Sequence, residues 1–112
     1  MSRPIRILPE PVRTLGFASI GAGYMGVGTA ISHPARILFI QNLTDQTLMF
    51  SLNGIDDHFP LPGSGFLLLD VTANKIFQAG AFVSEGTRLY VKDLGVAPGS
   101  GSVYFTVFYG AE

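Results

Sequence analysis

Apolar residues in this chain recur at every second position, in short runs that turn residues interrupt. The last run, "VYFTVFY" at 103–109, sets Val103, Phe105, Val107 and Tyr109 on one face and Tyr104, Thr106 and Phe108 on the other. A period of two is the geometry of a β-strand, whose successive side chains leave opposite faces. "TRLYVK" (87–92) alternates as cleanly, and Leu48, Phe50 and Leu52 share a face in "TLMFSLN" (47–53). "ARILFIQNL" (35–43) holds an unbroken apolar run at 37–40, the pattern of a strand covered on both faces. Further strands are expected at 14–20, 66–71 and 77–83.

The intervals carry turn chemistry. "NLTDQ" between the strands at 35–43 and 47–53 predicts a β-hairpin. Asn53 and Gly54 form a second turn signal, and 84–86 a third. Residues 56–65 and 94–102, rich in Gly and Pro or Ser, read as loops. No window shows a capped helical period, and one helical turn at most fits 71–77. Six to eight short strands at this spacing predict an all-β fold: a single small β-sandwich, jelly roll or β-barrel.

Residues 1–34 differ in character. Pro4, Pro9 and Pro11 oppose a helix and favour an extended path. The division expected is an extended N-terminal arm at 1–34 and a β-domain at 35–112. Charge divides at the same place. The arm has Arg3, Arg6 and Arg13 against Glu10, a balance of +2, and the remainder has four basic and seven acidic residues, a balance of −3. A basic arm on an acidic body suits contact with a neighbouring subunit. Three spaced arginines fall far short of a nucleic-acid footprint, so no nucleic-acid partner is expected. Only 13% of the residues are charged, about half the usual share. A small domain has much surface to hydrate, so this shortage points to surface covered by a partner.

Gly21, Gly23 and Gly26 in "GAGYMGVG" match the G-x-G-x-x-G fingerprint of dinucleotide-binding folds. That motif works only where a helix begins at the last glycine and aims its N-terminus at the pyrophosphate. Only "VGTAISH" separates Gly26 from Pro34, too short and too β-branched for a crossover helix. The expectation is an extended, side-chain-poor segment in which Tyr24 and Met25 are buried as anchors, against the domain or at a subunit boundary. No cofactor is expected. Asp56, Asp57 and His58 could in principle form a metal site, but turn chemistry beside a proline-rich loop accounts for them as well, and no metal is expected. No nucleophile elbow is present, so an enzyme is not expected. The chain has no cysteine, which removes disulfides and thiolate sites. No run reaches the ~18 apolar residues of a membrane helix, so no membrane partner is expected and the chain is read as made in a cytosol.

One series of motifs carries a resemblance. It runs through Ile40, Asn42, Thr44 and Asp45, then Ser51, Asn53 and Gly54, then Leu69 and Asp70. It continues through Gly86, Thr87, Tyr90, Val91 and Lys92 to Gly101, Val103 and Tyr104. Over about residues 35–110 the chain resembles small structural proteins of tailed-bacteriophage virions, of the capsid cement or decoration type. The resemblance implies a non-enzymatic protein on the outer capsid surface, made in the host cytoplasm. It would bridge neighbouring major capsid proteins as a homodimer or homotrimer. Arg3, Arg6, Arg13, Tyr24, Met25, Tyr104 and Phe108 are the expected interface residues. A phage head-completion or tail protein, or a β-sandwich module binding glycan or peptide, is the alternative.

Overall fold

The structure, a computed structural model, describes residues 6–70 and 83–111. The strand expected at 77–83 lies outside the described residues except for Val83, and the possible helical turn at 71–77 lies wholly outside them. Among the described residues there are nine strands: β1 (Arg6–Pro9), β2 (Arg13–Gly16), β3 (Met25–Gly26), β4 (Ile37–Asn42), β5 (Leu48–Ser51), β6 (Phe59–Leu61), β7 (Gly65–Asp70), β8 (Tyr90–Asp93) and β9 (Ser102–Ala111). The single helical element is the 3-10 turn Phe17–Ser19, which ends the strand expected at 14–20 after Gly16. All pairings are antiparallel. The fold is all-β, as its alternation requires.

The strands make two sheets. In the first, β9 is flanked by β4, and β7 lies beyond β4. The other edge of β9 is taken by β1 and β2 in succession, with Pro9 opposite Phe108 and Arg13 opposite Phe105. The second sheet has the order β3-β8-β5-β6. Leu38 and Ile40 of β4 and Val103, Phe105 and Val107 of β9 are buried from one side. Leu48 and Phe50 of β5, Leu61 of β6 and Val91 of β8 are buried in the same cluster from the other. Two inner faces thus close on one core, and each strand's period of two decides which residues enter it.

Two expectations are corrected here. The stretches 35–43 and 47–53 do not form a hairpin: β4 and β5 lie in different sheets. The turn between them carries the chain across the core edge, held by the fully buried Asn42. The Asn42 Oδ1 accepts from the Thr44 N–H (3.1 Å) and hydroxyl (2.6 Å). Its Nδ2 donates to the carbonyls of Gln46 and Leu61 (both 2.9 Å) and approaches that of Pro62 (3.1 Å). Second, the loop expected at 56–65 contains β6. Pro60 is tolerated because β6 is an edge strand.

Residues 6–34, expected as an arm ahead of the β-domain, are extended but built into both sheets. They supply β1, β2 and β3, and they bury Ile20, Val27 and Ile31 in the core. Proline forbids a helix without forbidding an edge strand, so composition alone did not distinguish a projecting arm from an edge.

Asn42→Ala should lower unfolding stability by about 2–4 kcal/mol, because it strands buried carbonyls and the Thr44 donors. Asn42→Asp should not rescue it, since an ionised carboxylate cannot donate. Urea denaturation measures both.

Candidate interaction face

The two sheets differ on their outward faces. On the first, Leu38, Ile40 and Asn42 point inward, so Ile37, Phe39 and Gln41 point outward. Register places Phe108, Thr106 and Tyr104 of β9 beside them. On the far side it places Asp70, Leu68 and Phe66 of β7. Phe39 and Phe66 meet edge to face at 5.8 Å. Phe66 is 63% exposed and Leu68 58%, while Ile37, Phe39, Tyr104 and Phe108 are half-buried. The exposed Ile7 of β1, opposite Gly110, extends the same face. Apolar side chains thus run across β1, β9, β4 and β7. Exposed apolar surface of this kind, broken here by Gln41, Thr106 and Asp70, makes this the candidate interaction face.

The outward face of the second sheet is mixed, with Met49 of β5 and Pro60 of β6 in register beside the charged and aromatic side chains of β8. Leu89 and Val91 are buried, so Arg88, Tyr90 and Lys92 face out. Lys92 pairs with Asp57 at 3.2 Å and lies 4.8 Å over the Tyr24 ring. The Tyr24 hydroxyl donates to Asp57 at 2.5 Å. Burial, the hydrogen bond to Asp57 and the charges of Asp57 and Asp56 push the Tyr24 hydroxyl up to about 12. Arg88 lies over the Tyr90 ring and donates to the Gly28 carbonyl at 2.7 Å.

The glycine motif lies along this second sheet. Gly26 is in β3, opposite Tyr90, and no helix follows it. A Cβ at Gly26 would collide with the Arg88 guanidinium, so this glycine serves a close approach of side chain to backbone. Gly28 has φ +68° and packs against Arg13. Asp56, Asp57 and His58 are engaged separately. Asp56 accepts from the Asn53 amide, Asp57 from Tyr24, and the His58 Nδ1 from the Leu52 N–H.

The expected interface residues divide accordingly. Tyr104 and Phe108 come together on the apolar outer face. Tyr24 and Met25 belong to the other sheet. Tyr24 is half-buried through its Asp57 bond, whereas Met25 is 47% exposed, so the domain itself does not bury it as an anchor. Arg3 lies outside the described residues, and Arg6 is placed by its backbone in β1. Arg13 points inward and is 9% exposed, so it does not present its charge to a neighbour.

Arg13 is held by Glu10, the other buried charge of a clamp that sequence reading missed. The Arg13 Nη2 donates to Glu10 at 2.8 Å and to the Ala30 carbonyl at 3.0 Å, and its Nε to the Thr29 carbonyl at 2.8 Å. Glu10 also accepts from the Ser32 N–H (3.1 Å) and from His33 Nδ1 (2.6 Å), and His33 stacks on Tyr109 at 3.6 Å. These groups border a cleft of about 500 Å³. Burial alone would raise the Glu10 carboxyl. The bonds from His33, Arg13 and Ser32 outweigh it and hold the carboxyl below its ordinary value. Phe39, Phe66, Leu68 and Ile37 were also missed as site residues, although their strands were expected. The signal available was two-sided apolarity at 37–40 and in "FLLLD".

No protein-family model, curated protein or solved structure gave a match to this chain.

Glu10→Gln should cost about 3–5 kcal/mol by leaving Arg13 buried without its counter-charge. Because the Glu10 pKa is lower folded than unfolded, its contribution is present at neutral pH and is lost as pH falls below about 5. Thermal melts from neutral to acid pH should therefore fall less steeply in Glu10→Gln than in the parent. Ultraviolet titration of the tyrosines should show one phenol near 12, absent in Tyr24→Phe.

Proposed function

We propose that this chain is a non-enzymatic structural protein of a virion, which cements a phage capsid by docking on its outer surface. Its partners are neighbouring major capsid proteins and further copies of itself. The observation that carries this reading is the contrast between the two outward faces. One sheet turns Phe66, Leu68, Phe39, Tyr104 and Phe108 toward its surroundings, and the other turns ion pairs and cation–π contacts. A protein whose surface worked only against water would have both faces like the second. The motif series from Ile40 to Tyr104 supports the virion setting, and the low charge supports several covered surfaces.

The strand order supports a jelly roll as the finer description of the fold. Strands β2, β3, β4 and β5 pair with β9, β8, β7 and β6 respectively. That is one long antiparallel ribbon, doubled back between β5 and β6 and wound alternately through two sheets. Such winding fits the eight-stranded, double Greek-key pattern.

Docking through the first sheet predicts a specific sensitivity. Burying one Phe or Leu side chain contributes about 1.5–3 kcal/mol. Phe66→Lys or Phe108→Glu should therefore weaken binding to shells of the major capsid protein encoded in the same genome by roughly 10–100-fold. Lys92→Glu, on the second sheet, should change it little. Cosedimentation with purified shells reads the difference. Equal binding by all three variants would remove the outer face from the account.

A further inference from the structure

Among the described residues, the first sheet has an open edge at β7 as well as an apolar outer face. Strand β7 pairs with β4 along one side, and among the described residues no strand pairs with the other. In any strand about half of the backbone N–H and C=O groups point to each side, so this edge presents a row of donors and acceptors. Proteins usually blunt such edges with lysine, proline or a bulge. The sequence "GFLLLD" has no lysine and no proline, and its six residues keep continuous register with β4, without a bulge. Its side chains are apolar on both faces. Phe66 and Leu68 are 63% and 58% exposed on the outer face, and Leu69, on the inner side, is 40% exposed.

An occupant of this edge must supply strand backbone together with apolar side chains on both sides. We propose that a second copy of this chain does so, β7 pairing with β7 in antiparallel fashion about a two-fold axis normal to the sheet. The segment is complementary to itself in this orientation. Its one charged residue, Asp70, is at its end, so antiparallel pairing sends the two carboxylates to opposite ends. Parallel pairing in register would set them side by side. Directly opposed residues in an antiparallel pair share a face. The two-fold centre therefore falls on Leu67, setting Phe66 opposite Leu68, or on Leu68, setting Leu67 opposite Leu69. Either register joins two five-stranded sheets into one of ten, with both apolar outer faces on the same side. The dimer rests on the β7 edge and the side chains at 66–69 and does not use Tyr104 or Phe108, so the Phe108→Glu arm of the docking test reads independently of it.

Sedimentation equilibrium of the full chain without shells should give twice the chain mass, and Leu68→Lys should return it to the monomer. The chain has no cysteine, so single-cysteine variants report proximity cleanly. Under mild oxidation, Leu67→Cys or Leu68→Cys should cross-link to its own copy at least tenfold faster than Ile55→Cys, whose parent side chain is 80% exposed at a turn of the other sheet. A monomer at every concentration, or cross-linking no faster at 67 and 68 than at 55, overturns the pairing. Since no shell is present, either result leaves the capsid-docking reading to its own test.

Discussion

Strand β9 is paired along both edges, with β4 over 103–108 on one side and with β2 over 102–105 and β1 over 108–111 on the other, and the rest of the molecule is arranged around that fact. Its ten residues take β1 and β2 on one side and β4 on the other. With both edges occupied, register is fixed, and a slip of one residue would carry Val103, Phe105 and Val107 out of the core. The same fixed register forces Tyr104, Thr106 and Phe108 outward. No rearrangement of β9 can hide both sets. The apolar outer face therefore follows from the strand that builds the core.

The N-terminal third belongs to this scheme. It completes the far edge of β9, crosses to the second sheet at β3 and returns toward β4, and the Glu10–Arg13 clamp ties the β1–β2 junction to the returning segment at Thr29, Ala30, Ser32 and His33. Two charges with single exposures of 5% and 9% are tolerable because their hydrogen-bonding groups meet each other, His33 and the carbonyls of the crossing segment. A basic arm free to reach a neighbour was the natural reading of three arginines among prolines. Of those three, Arg13 is instead spent inside. Among the described residues, the surface offered by the first sheet is apolar, and the proposed docking rests on that face.

Alternation made the strands at 35–43, 47–53, 87–92 and 103–109 legible, and with them the inward and outward sets of β4 and β9. It also made Tyr104 and Phe108 stand out, because the second face of "VYFTVFY" lacks the polar residues of a wetted face. Partner choice was not legible. A strand's period says which way side chains point and nothing about which strand lies alongside, so β4 and β5 read as a hairpin although they lie in separate sheets. Glu10 and Arg13 are only three residues apart, but their bonds to Thr29, Ala30, Ser32 and His33, and the Tyr24–Asp57 bond, span 16 to 33 positions, with no local trace of the pairing. The absence of a helix after Gly26 was legible from the short, β-branched stretch before Pro34, and among the described residues none follows it. The anchoring of Met25 within the domain was not found, since β3 is an edge strand of two residues.

The central claim is that the outer face of the first sheet is covered in the working state of this protein. Hydroxyl-radical footprinting of the chain, alone and bound to capsid shells, tests it side chain by side chain. The account predicts strong protection of Phe66, Leu68, Phe39, Tyr104 and Phe108 on binding, with Met49, Tyr24 and Tyr90 of the second sheet labelled as before. Unchanged labelling of the first group, or protection confined to the second, would contradict it.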